Sequence, residues 1–217
     1  MNKKLVIFLT MSLVLVSCGK SGDKEVALDN ATPEIADPGN DSGSGSSDLP
    51  NEALTFSTNV DLLNFTATQA AKYQKAIEMV KLVVATEEFR NRVLNHTYNG
   101  SKQFVNNNGK TNAQIYKSIL EAAETLQPAK NNRMDLGVEL YYASTNVVGY
   151  TYASSTQIWV NRKYFDTYLV NSVASNLFHE WLHKLGYGHD SSATARRPYS
   201  VPYAIGYMVR DIGKKFL

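Results

Sequence analysis

The chain has 217 residues, enough for one well-buried domain and too few for two large ones. Its hydrophobic share of 43% and charged share of 19% are those of an ordinary globular protein and exclude a predominantly disordered or membrane-embedded chain. Lys3 and Lys4 account for the whole surplus of 22 basic over 20 acidic residues, so the remainder is neutral, which argues against a nucleic-acid or polybasic membrane role.

The first residues read as an export signal. Asn2, Lys3 and Lys4 form a short basic head, and residues 5–16 are an apolar run interrupted only by Thr10 and Ser12. That run is too short to remain as a bilayer-spanning helix. It ends in Leu15-Val16-Ser17-Cys18, which resembles a bacterial lipobox. The resemblance implies a signal peptide over residues 1–17, cleavage before Cys18 and lipidation of the Cys18 thiol. Cys18 is the single cysteine, so an internal disulfide and a thiolate metal site are excluded. Gly19 follows it where an Asp would favour retention at the inner membrane. The expected location is therefore extracytoplasmic, lipid-anchored to the bacterial outer membrane or cell surface. From residue 18 to 53 the composition is rich in Gly, Ser, Asp and Pro, with too little apolar content to offset the cost of ordering, and it reads as a tether.

From residue 54 to 217 the pattern is that of a folded domain. Residues 66–86 carry Ala70, Tyr73, Ile77, Val80 and Val84 at helical spacing, with Thr66 or Thr68 as the cap. Residues 87–95 continue or restart the helix with Phe89, Val93 and Leu94 inward, and His96 beyond it reads as an ordinary loop or surface histidine. Asn106-Asn107-Asn108-Gly109 is a turn. A further helix is predicted over residues 111–126, stopped by Pro128.

The middle of the chain changes period. Residues 136–142 alternate and predict a strand; residues 147–152 and 157–161 predict a hairpin about a polar turn. Helical spacing returns over residues 170–185 through Val173, Leu177, Trp181 and Leu185, with Trp181 and Leu185 expected to anchor the core. Helices, then a small sheet, then a helix give an α+β arrangement, not an alternating βαβ one. A sheet edge beside such a helix would suit an extended peptide adding as a strand, and residues 158–161 are the expected edge.

The chemistry concentrates in His179-Glu180-Trp181-Leu182-His183-Lys184-Leu185-Gly186-Tyr187-Gly188-His189. Four residues apart on a helix, His179 and His183 share one face and can reach one metal ion. Glu180 lies about 100° round the helix, placed to hold a water rather than the metal. Gly186 can take the left-handed conformation that ends a helix and turns the chain back, bringing His189 round. Asp190 competes with His189 as third ligand, or else orients a ligand imidazole or caps the following loop, and the Arg196-Arg197-Pro198 stretch offers it an ion-pair partner. Three His, one Glu and one Gly at these positions arise by chance on the order of once in a hundred thousand chains of this length.

The stretch from His179 to His189 resembles the H-E-x-x-H-x-x-G-x-x-H motif of the metzincin zinc peptidases. The resemblance implies a zincin-like domain with N-terminal helices, a small mixed sheet and an active-site helix. It also implies zinc held by His179, His183 and His189, with Glu180 as general base in hydrolysis of a protein or peptide substrate. Past His189 the chain departs from the family, which places a methionine in a tight turn beneath the metal. Here Ser200-Val201-Pro202-Tyr203 puts Pro202 at that point, and Met208 is the only later methionine. Pro202-Tyr203 as an equivalent turn, Met208 from farther on, and a replaced floor all remain open, and Tyr203 is a candidate catalytic hydrogen-bond donor. Two other readings use the same residues: a non-catalytic zincin-like binding lipoprotein, and a zinc hydrolase acting on a cell-wall amide. A monomer is expected.

Overall fold

A computed structural model of the protein describes residues 23–26 and 56–217. The lipobox, Cys18 and most of the span read as a tether lie outside the described residues. Asp23–Val26 (β1) is the part of that span that is described, and it is a strand. Next come β2 (Ser57–Leu63), α1 (Ala67–Val84), α2 (Glu87–Asn95) and α3 (Asn112–Glu121). Three strands follow: β3 (Arg133–Tyr141), β4 (Val147–Thr151) and β5 (Gln157–Asn161). The short α4 (Arg162–Phe165), then α5 (Val170–Lys184) and α6 (Val201–Gly213) complete the fold. The architecture is α+β, as the order of periodicities predicts.

The strands form one mixed sheet in the order β1-β4-β5-β3-β2. β2 runs parallel to β3, and β3 parallel to β5. β4 and β5 form the predicted antiparallel hairpin, and β1 adds antiparallel on the far side of β4. Strand β5 therefore lies between β3 and β4, so residues 158–161 are not an edge. Ile158 and Val160 explain why: both point into the core, and a strand paired on both sides suits β-branched residues of that kind.

The helices pack on one sheet face and enclose a single core. Met134, Leu136, Val138 and Leu140 of β3 meet Ile77, Val80 and Val84 of α1 and Leu177, Phe178 and Trp181 of α5 there. Thr66 caps α1 in a capping box with Gln69. Helix α3 stops at Glu121, five residues short of its predicted end, because Ala122 adopts φ +49 and breaks the hydrogen-bond ladder. The residues beyond turn inward instead: Glu124 Oε1 accepts from Trp181 Nε1 at 2.8 Å and from the Asp135 amide at 3.0 Å. Leu126, the last residue of the predicted helix, is exposed and outside it.

Three further features depart from the sequence reading. Strand β2 has only Val60 and Leu62 packed against the core, an alternation too short to register as a strand signal. Helix α6 begins at Val201 with Pro202 in its first turn, where a missing N–H costs nothing, so Ser200-Val201-Pro202-Tyr203 opens a helix instead of a free turn. His96 is no surface residue: it is 3% exposed, stacked on Phe104 with ring centroids 4.1 Å apart.

Candidate metal centre

Helix α5 carries the first two histidines and the glutamate. Its end is fixed as the glycine predicts. Gly186 has φ +89, its amide donates to the His183 carbonyl at 3.0 Å, and the Tyr187 amide reaches back to the Leu182 carbonyl at 3.1 Å. This pair of bonds is a Schellman ending, which reverses the chain within two residues. Tyr187 locks the reversal: its ring is buried and its hydroxyl lies 2.6 Å from Ser118 Oγ and accepts from Lys110 Nζ at 3.2 Å. His189 then returns to face α5.

The three rings converge. His179 and His183 have Nε2 atoms 3.2 Å apart, and one ring nitrogen from each of His179, His183 and His189 lies within 4.8 Å of the others. Two nitrogens bound tetrahedrally at zinc's usual bond length stand about 3.3 Å apart, so the His179–His183 pair has the spacing of two ligands. The opposite nitrogens are held by backbone carbonyls. His183 Nδ1 donates to the Tyr187 carbonyl at 2.7 Å, and His189 Nδ1 to the Asp190 carbonyl at 3.0 Å. His179 bonds to the backbone of Pro202, whose only polar backbone group is its carbonyl. A carbonyl can only accept, so each ring keeps a proton on that side and turns the other nitrogen's lone pair inward. Burial, the neighbouring His183 and His189, and the Arg197 charge hold the His179 pKa well below its ordinary value, in the neutral form that ligates metals.

Asp190 is committed elsewhere. Its Oδ2 accepts from Thr194 Oγ1 at 2.6 Å and pairs with Arg196 Nε at 3.4 Å, while Oδ1 receives Asn106 Nδ2 at 3.4 Å. The Thr194 hydrogen bond is the main cause of its lowered pKa. Of the two candidates for a third ring partner, His189 joins the cluster, and Asp190 contributes its backbone carbonyl and pins the loop.

Glu180 is fully buried, 0% exposed. It shares a helix face with Asn176 and Lys184, one turn before and after it. That face lies along β4: a Cβ on Gly149 would stand 3.0 Å from Asn176 Nδ2, and Lys184 Nζ donates to the carbonyls of Tyr152 and Ser155. Burial brings the Lys184 pKa down to about 8, against the Glu180 charge, which raises it. Gly149 is thus a residue the sequence reading missed. Only a side chain of one hydrogen lets β4 sit this close to the carboxylate-bearing face.

Helix α6 forms the floor. Gly206 lies where α6 meets α5, with Ser175 Oγ donating to the Gly206 carbonyl at 2.7 Å, and a Cβ there would just touch His179 Cβ at 3.5 Å. One turn earlier, the Tyr203 ring stands edge-on to His179 at 4.6 Å and against His189 at 4.8 Å. The Arg197 guanidinium covers the Tyr203 ring at 4.6 Å, a cation–π contact that no spacing rule points to. Met208 is buried in the core cluster farther along α6. The aromatic ring against the histidines is thus Tyr203, supplied by the first turn of a helix. Trp181 and Leu185 anchor α5 in the core as expected, Trp181 packing on Phe56 and Phe178.

Among the described residues no helix is long and apolar enough to cross a membrane. Compared with known protein families, curated proteins and solved structures, the chain matches none.

Proposed function

We propose that the chain is a zinc-dependent endopeptidase of the zincin kind, anchored through Cys18 to the outside of a bacterial membrane. The observation that carries the reading is the convergence of three imidazoles whose outer nitrogens are tied to the carbonyls of Tyr187, Asp190 and Pro202. Such second hydrogen bonds fix tautomer and ring orientation, and a cluster without a ligating task has no need of three. His179, His183 and His189 would hold zinc, which when bound polarises a carbonyl and acidifies a water.

The chain's own residues carry the rest. Glu180 accepts the proton of the attacking water and returns it to the leaving amine. A carboxylate in so dry a site interacts strongly with any proton or dipole nearby. Tyr203, against His179 and His189, supplies a phenol for the oxygen that gains charge in the transition state. The substrate lies as an extended strand along β4, the strand that runs over the Glu180 face of α5.

The full burial of Glu180 favours one rival, a zinc-binding lipoprotein that does no chemistry. Zinc content and cleavage of a mixed peptide library, measured on the intact chain and on Glu180→Gln, separate the two. About one zinc per chain in both proteins, with cleavage lost in the variant, supports the peptidase. Zinc in both and cleavage by neither establishes the rival, and absence of zinc removes both.

A further inference from the structure

Strands β2 to β5 are formed by residues 57–161 and leave two edges, β2 and β4. The β4 edge is the one beside the histidine helix, because Gly149 packs on Asn176 and Lys184 bonds just past the end of β4, with Glu180 between them on the same face. That edge is already taken. Asp23–Val26 pairs antiparallel with β4, Asp23 opposite Thr151, Lys24 opposite Tyr150 and Val26 opposite Val147, with a register irregularity between Lys24 and Val26. A strand edge offers one row of N–H and C=O groups, so it takes one added strand at a time.

We propose that Asp23–Val26 is an internal occupant of the peptide-binding edge of β4, so that the segment joining the lipidated Cys18 to the domain also restrains access to the histidine site. This rests on the reading of the site as one that receives an extended peptide. Two observations shape it. The pairing is short and its register is interrupted, as suits an occupant that a better strand can displace. It is also intramolecular, through residues 27–55, and such a link supplies an effective concentration on the order of millimolar. A weak four-residue pairing is then populated in the intact chain and would be negligible between separate molecules. Removing the internal strand should strengthen peptide binding at the edge by roughly two- to tenfold, the ratio set by that effective concentration against the strand's own affinity.

The test uses the full chain carrying Glu180→Gln, with and without Lys24→Pro and Val26→Pro, which withdraw backbone donors from β1. The probe is a fluorescently labelled peptide of residues 21–28, read by anisotropy, alongside amide hydrogen exchange over Val147–Thr151. Tighter probe binding in the proline variant, with faster exchange in β4 that added peptide slows again, supports internal occupancy. Equal binding and equal exchange overturn it. The readout needs no cleavage, so it stands apart from the peptidase reading: in the catalytically intact chain the same prolines should lower KM and leave kcat unchanged. Loss of all peptide cleavage alongside tighter probe binding would sink the peptidase alone.

Discussion

His96→Phe should flatten the acid dependence of the protein's stability. His96 is 3% exposed, its ring is stacked on Phe104, and its Nε2 is buried with no hydrogen-bond partner among the described residues. Burial lowers its pKa from 6.5 to about 4, against a hydrogen bond to the Tyr199 backbone that raises it. The sign follows from the unfolded chain, which takes up the proton near pH 6.5 while the folded chain resists until about pH 4. Above pH 6.5 both forms are neutral and His96 contributes no pH dependence. Between the two values the unfolded state binds the extra proton, so stability is lost as the pH drops from 6.5 towards 4. The loss reaches about 2.5 kcal/mol at pH 4.5 and about 3.4 kcal/mol once the folded form also protonates. Phenylalanine keeps the aromatic stack and removes the titration. Urea unfolding of metal-free protein at pH 7.5 and pH 4.5 should show wild type losing about 2.5 kcal/mol more than His96→Phe. The other histidines and the carboxylates titrate in both proteins and cancel in the comparison. Parallel stability curves would mean that His96 is solvated and not buried against Phe104.

Three other outcomes bear on the site itself. Gly186→Ala places a side chain at φ +89 with Thr125 Cγ2 3.3 Å from the new Cβ. It should cost about 1–2 kcal/mol by thermal unfolding and weaken zinc binding in competition with a chromophoric chelator, since the turn presents His189; an unchanged melting curve would refute the turn's role. Free zinc at a hundredfold over its dissociation constant should stabilise the chain by about 2.7 kcal/mol relative to chelator, and His183→Ala should abolish the difference. Tyr203→Phe should leave zinc content intact and lower kcat by about a hundredfold; an unaltered kcat would assign the ring to packing alone.

The parts of this fold legible in the sequence are those set by nearest neighbours along the chain. Local pattern narrows the start of α1 to Thr66 or Thr68, and Thr66 is the cap, bonded to Gln69 within one turn. The Schellman ending at Gly186 is a local bond pattern, and so the return of His189 was foreseeable. The parts that escaped depend on contacts between distant segments. Ala122 gives no sign of φ +49, a conformation that alanine adopts only under outside constraint; here the next residues are held by Trp181 and Asp135, from other elements. His96 lies in a polar stretch, and it is buried against rings from elsewhere in the chain, Phe104 and Tyr199.

The site divides along the same line. Its converging ring nitrogens belong to an eleven-residue pattern, whereas the groups that orient them are backbone carbonyls of Tyr187, Asp190 and Pro202. A carbonyl is common to every residue, so no side-chain motif can encode it; what the chain encodes is the path that delivers it. For Pro202 that path is the start of α6, which packs on α5 around Gly206. A methionine turn is one way to put a floor under three histidines, and a helix that presents Tyr203 to two of them and a carbonyl to one is another. If that is so, a bulky residue at Gly206 should disturb the histidines without touching them. A Cβ at Gly206 already touches Ser175 and His179 at 3.4–3.5 Å, so the γ-methyls of Gly206→Val should push α6 away from them, and with it the Tyr203 ring and the Pro202 carbonyl. Zinc affinity should then fall by about tenfold or more, the cost of losing one such orienting bond. Unchanged affinity in a folded Gly206→Val variant would mean that α6 packs beside the site without supporting it.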